Sequence, residues 1–124
     1  DIENPVFFAD LDWKLLMKTI RNQAVKYTEI SKFPAVSRDL ALLIDQSVEF
    51  GRIEQIAYQT EKKLLKAVTL FDVYEGKNLP AGKKSYAVNF ILQDTEKTMS
   101  EKAIDAIMQK LIQQLTKQLG AELR

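Results

Sequence analysis

Apolar and polar positions alternate along some stretches of this chain and recur every three to four residues along others, and the change-overs divide it into elements. Ser37 to Asp45, SRDLALLID, alternates: Leu40, Leu42 and Ile44 share one face, with Asp39, Ala41 and Leu43 on the other. From Gly51 to about Leu65 the apolar residues Ile53, Ile56, Ala57 and Leu64 fall at helical spacing. Two β-rich runs follow, Ala67 to Tyr74 and Lys84 to Leu92. The tip between them holds Gly76, Lys77, Pro80, Gly82 and Lys83, the pattern of a hairpin with a long loop. Thr98-Met99-Ser100-Glu101 reads as a capping box with Thr98 as N-cap and Glu101 reaching back. Behind it Ile104, Ile107, Met108, Leu111, Ile112, Leu115 and Leu119 form a continuous apolar stripe, which Gly120 stops. Ala121 to Arg124, AELR, supplies a short last strand. Upstream, residues 5–11 (PVFFADL) read as a short strand, Asp12 as the cap of a helix over Trp13 to Ile20, and residues 22–36 as an extended connector. That helix is too short to be stable alone.

From residue 37 the order is β-α-β-β-α-β. This predicts an α+β, ferredoxin-like (RRM-like) split βαββαβ sandwich: a four-stranded antiparallel sheet with two helices on one face and the other face open, preceded by a strand-helix extension. Parity then assigns the side chains. Tyr86, Val88, Phe90 and Leu92 face the helices, with Ser85, Ala87 and Asn89 opposite; Ala121 and Leu123 face in, Glu122 and Arg124 out. In the second strand Phe71 and Val73 are expected inward and Leu70, Asp72 and Tyr74 outward. The open face would therefore carry Ala41, Asp72, Tyr74, Ser85, Asn89 and Arg124. It combines an aromatic, an acceptor, hydroxyl and amide groups and a cation, with small residues giving access. Open sheet faces of this topology commonly bind single-stranded RNA, through aromatics that stack on splayed bases. The plain alternative for Tyr74 and Asp72 is a solvated surface, and for Lys77, Lys83 and Lys84 a solvated loop tip instead of phosphate contacts.

Composition narrows the chemistry. A length of 124 residues suffices for one core and a short extension. A formal net charge of +1 does not by itself announce a nucleic-acid or membrane partner. There is no cysteine, hence no disulfide and no thiolate metal site; there is no histidine, so the commonest general acid–base and the commonest zinc ligand are both missing. No apolar run approaches the ~20 residues of a membrane span, and the start has no secretory pattern; a cytoplasmic location is expected. The chain opens on Asp1, and a piece of a longer protein is the expectation. No P-loop-type glycine-rich segment is present, and Asp39, Asp45, Asp72 and Glu75 are scattered, so neither a catalytic site nor a metal site is expected in this chain.

The blocks FPAVSRDLAL, LFDVYEG, GKKSYAVNF, DTEKTM and the terminal GAELR stand in an order and spacing that resemble the ferredoxin-fold anticodon-binding domain closing the β subunit of bacterial phenylalanyl-tRNA synthetases. The resemblance covers about Lys32 to Arg124; Met99 stands where that family usually has Leu. Residues 1–31 would then be the tail of a preceding domain and a connector, and residues 32–124 the anticodon-binding domain. The resemblance implies contact with the anticodon region of phenylalanine tRNA. Its contact positions, carried over, are Ala41, Asp72, Tyr74, Ser85 and Arg124, all on the face that parity leaves open. It also implies that the full enzyme is an ATP- and magnesium-dependent phenylalanine–tRNA ligase whose catalytic site lies in an α subunit of an α2β2 complex, this chain being non-catalytic. A competing reading from the fold alone is a regulatory or assembly module that binds amino acids and no RNA.

Overall fold

The computed structural model describes residues 4–21, 24, 26–27 and 29–124. Its elements are α1 (Trp13–Ile20), β1 (Val36–Asp45), α2 (Phe50–Thr60), β2 (Leu65–Tyr74), β3 (Lys83–Leu92), α3 (Glu101–Leu119) and β4 (Glu122–Leu123). The sheet order is β2-β3-β1-β4, with every pairing antiparallel. This is the expected split βαββαβ arrangement. The two long strands that are not consecutive in sequence, β1 and β3, lie side by side in the middle.

The core fills the space between one sheet face and the two helices. β3 contributes Tyr86, Val88, Phe90 and Leu92, β1 contributes Leu42 and Ile44, α2 contributes Ile53, Ile56 and Ala57, and α3 contributes Ile104, Ile107, Met108, Leu111 and Leu115. The two periods select these residues, with two differences: Leu40 and Leu119 are only partly buried against the core, and Ile112 of the expected stripe lies outside it, at the edge of the helix face. Tyr86 takes part through its ring, edge-on to Phe50, while its hydroxyl donates to the Val48 carbonyl at 3.4 Å.

Several element boundaries differ from expectation, each for a local reason. Helix α2 ends at Thr60 and not near Leu65. The Glu61 backbone is extended there, and its carboxylate accepts from the N–H groups of Lys63 and Leu64, turning the chain early. Leu64 still packs on the core, but from the loop. The N-cap of α3 is Ser100, whose Oγ accepts from the Ala103 N–H, and not Thr98. Glu101 is then the first helical residue. Its carboxylate, near the positive end of the helix dipole, pairs with Arg38 of β1 at 2.6 Å. Gly120 ends α3 in the left-handed region (φ 63°), as its position after the stripe predicts. At the end of β1, Asp45 accepts from the Ser47 hydroxyl at 2.6 Å and from the Ser47 N–H at 2.9 Å. These bonds, with Lys83 and Lys84 nearby, hold its carboxyl below the ordinary range. A lowered pKa means that this turn has its support at neutral pH and loses it as acid titrates the carboxylate.

The chain divides into two units, Asp1–Ile30 and Ser31–Arg124. In the first, the strand expected over residues 5–11 is absent and that stretch is irregular. Helix α1 forms as expected, with the Asp12 carboxylate accepting from the Leu15 N–H at 3.1 Å. None of its residues is buried, and Phe7, Phe8, Leu11, Trp13 and Leu15 are exposed. The connector expected over 22–36 lies partly outside the described residues. An eight-residue helix with no buried residue has little to hold it. In a dilute solution of the chain, amide exchange in α1 should therefore be far faster than in α3; equal protection of the two helices would contradict this account. No helix among the described residues is long and apolar enough to cross a membrane.

Candidate nucleic-acid interface

The open face of the sheet is built from pairing register. Ala41 lies opposite Ala87, Tyr74 opposite Ser85, Asp72 opposite Ala87 and Asp39 opposite Asn89, and directly opposed residues share a face. Arg124 joins them through its backbone, whose N–H donates to the Ala41 carbonyl at 2.9 Å. All five residues carried over from the resemblance, with Ala87, line one shallow depression of about 440 Å³. Ala87 was not singled out as a site residue by sequence, although alternation already put it on the open face with Ser85 and Asn89; the pairing sets it between Asp72 and Ala41.

Asp72 and Tyr74 reach this face only because β2 is irregular. Val68 and Leu70 lie opposite Phe90 and Val88, on the helix side. Strict alternation would send Asp72 and Tyr74 after them into the core. Instead the register shifts between Leu70 and Asp72, leaving Phe71 as an extra residue. Such a bulge moves every later side chain to the other face. Two expectations are corrected here. Leu70 is not outward but partly buried against the core, and Phe71 is not a core residue but 59% exposed. Val73 lies opposite buried Tyr86, on the helix side as expected, yet it is itself exposed near the end of the edge strand.

Within the depression the groups are chemically distinct. Ser85 is buried. Ala41 and Ala87 keep the middle of the sheet low. The Arg124 guanidinium lies 5.3 Å from the centre of the Tyr74 ring, a cation–π contact that spans the depression. The ion pair found among the described residues is Arg38–Glu101, so Asp72 has no cation committed to it there. Further along the same face, the Asn89 amide donates to Asp39 at 2.6 Å and to Ser37, tying β3 to β1.

The lysines do not stay together. Lys77 is exposed in the β2–β3 loop, and Lys83 lies opposite Asp45. Lys84 lies opposite Ile44 on the helix side and is 8% exposed, with Nζ 4.6 Å from the centre of the Tyr86 ring. The structure therefore does not bring Lys84 to the depression. Its stem covers the end of the core while its ammonium rests on an aromatic face. The adjacent lysines obscure this in the sequence, although Lys84 shares the parity of Tyr86 and Val88. Among the described residues no group of His, Cys, Asp and Glu converges as a metal-ligand set.

Comparison with known proteins identifies relatives of the chain. Across its full length the chain is 65% identical to the phenylalanine–tRNA ligase β subunit of Bacteroides fragilis, 54% identical to that of Porphyromonas gingivalis and 36% identical to that of Clostridium acetobutylicum. It spans only about 15% of the length of these relatives. Residues 31–124 match the model of the ferredoxin-fold anticodon binding domain. The match takes in the whole βαββαβ unit and every residue lining the depression, and on it the chain belongs to the ferredoxin-fold anticodon binding domain family.

Proposed function

We propose that this chain is the tRNA-reading part of a phenylalanine–tRNA ligase β subunit, and that its depression receives an anticodon base of phenylalanine tRNA. The observation that carries the reading is the convergence of Ala41, Asp72, Tyr74, Ser85 and Arg124, drawn from all four strands or their ends, on one open sheet face. Tyr74 offers a ring on which a base stacks. Asp72 is an acceptor for the Watson–Crick N–H groups of guanine, which suits an anticodon that begins with G. Ser85 donates or accepts at the bottom of the depression, Arg124 meets phosphate or the base plane, and the two alanines leave room for the base. In this reading residues 32–124 are the binding module, and residues 1–31 belong with the neighbouring part of the longer protein, where their exposed apolar side chains find cover. The role of this domain is to position the tRNA. Aminoacylation, with its ATP and magnesium, takes place in the α subunit of a cytoplasmic α2β2 complex.

The test is binding of the chain to an anticodon stem-loop RNA of phenylalanine tRNA, compared with the same RNA carrying A in place of the first anticodon G. Preference for G is expected, together with protection of the loop in footprinting and loss of the preference in Asp72→Ala. Equal affinity for both RNAs, or binding of free phenylalanine by calorimetry without RNA binding, would favour the amino-acid module instead.

Affinity should also depend only mildly on salt. With Lys84 turned away, Lys77, Lys83 and Arg124 remain as phosphate contacts. Two or three contacts to a single strand correspond to a log–log slope of roughly −1.4 to −2. A slope several times steeper would show that the basic surface lies elsewhere.

A further inference from the structure

Gly76 follows the bulged strand by two residues, and its backbone does not explain why it is glycine. The glycines with positive φ among the described residues are Gly82 and Gly120, so residue 76 has no left-handed backbone that would call for glycine. What it lacks is space. A Cβ built on Gly76 would have as its three nearest neighbours Oη, Cζ and Cε1 of Tyr74, all at 3.0 Å or closer, whereas one on Gly51 would meet nothing within 4 Å. The phenol end of Tyr74 thus occupies the place where a side chain at residue 76 would stand.

We infer that Gly76 is a positioning residue for the proposed RNA site: its missing side chain lets the Tyr74 ring fold back over the loop and hold the attitude in which it borders the depression beside Arg124. The inference rests on the reading of Tyr74 as the stacking platform. The nearest obstacles to a side chain at residue 76 all belong to one aromatic ring that is partly exposed and carried by an edge strand, so the ring is what yields. Even a methyl group forces it off its position. The loop's own hydrogen bond, from the Leu79 N–H to the Gly76 carbonyl at 3.1 Å, uses backbone atoms only and survives the change.

The experiment is a double-mutant cycle in the 124-residue chain with the anticodon stem-loop of phenylalanine tRNA as probe. It measures affinity by anisotropy, melting temperature, and the Tyr74 ring resonances by NMR. Gly76→Ala and Tyr74→Ala should each weaken binding about 5- to 150-fold, the loss of one stacked base. Their combination should be no weaker than Tyr74→Ala alone, because both remove the same platform. Gly76→Ala should melt close to the parent chain while its Tyr74 ring resonances shift. Wild-type affinity in Gly76→Ala, multiplicative losses in the double variant, a large drop in melting temperature, or unmoved ring resonances would each overturn the inference. If Tyr74→Ala does not weaken binding, the reading of the depression fails, and the ring resonances of Gly76→Ala still decide whether residue 76 positions Tyr74.

Discussion

Phe90→Ala should lose about 3–5 kcal/mol of stability, as removal of a buried aromatic from a packed core does. Phe90 is 0% exposed and sits in β3, between β2 and β1. It lies opposite Arg38 on one side and Val68 on the other, and its face of the sheet meets the helices. The core it belongs to is framed by three paired strands and two helices, which cannot all collapse into the space it leaves, so the cavity term adds to the lost transfer energy. For a domain of this size the melting temperature should fall by at least about 12 °C. Phe71→Ala is the control. It removes the same atoms from the same sheet, but from a bulge where the ring is already 59% exposed, so its cost should stay near 0.5 kcal/mol, as for most surface changes. Chemical denaturation of both variants checks the pair; similar losses would mean that the bulge is misplaced and that Phe71 belongs to the core.

That contrast marks how far the sequence can be read. Elements whose apolar residues keep one period over many residues are legible because burial on one face selects both the period and the element: α3 with its stripe, β1 and β3 with their alternation. The ferredoxin-like order follows from them. The bulge in β2 is not legible. Leu70 and Phe71 are adjacent and both apolar, so either can enter the core, and the choice is fixed by the cross-strand register that sets Leu70 opposite Val88, which local sequence does not contain. Alternation placed Asp72 and Tyr74 on the open face correctly while misplacing Leu70 and Phe71, because it took the strand to be regular. The cap of α3 was ambiguous in the same way: Thr98 and Ser100 are both good caps, and the pairing of Glu101 with Arg38 favours the later start. The strand expected over residues 5–11 has apolar, β-prone residues but no partner among the described residues, and β-propensity without pairing does not make a strand. Gly76 was legible only as a turn residue; its steric relation to Tyr74 exists in three dimensions alone.

Tyr74→Ala should weaken binding of the anticodon stem-loop by about 1–3 kcal/mol, the usual loss when a base-stacking aromatic is removed. The ring borders the depression from the edge strand and is partly exposed, so its removal opens no core cavity. The cation–π contact with Arg124, worth about 0.5–1 kcal/mol at an exposed site, disappears as well and adds to the loss of the ring's partial burial. Tyr74→Phe should keep most of the affinity, since stacking needs the ring and not the hydroxyl. The two variants together separate stacking from hydrogen bonding at the same position. In the longer ligase that this chain is proposed to belong to, Tyr74→Ala should slow charging of phenylalanine tRNA while leaving amino-acid activation by ATP intact, because the lesion lies where the tRNA is held and not where the adenylate forms. Loss of activation along with charging, or a melting temperature lowered as far as in Phe90→Ala, would show that Tyr74 supports the fold and that the open face of the sheet reads nothing.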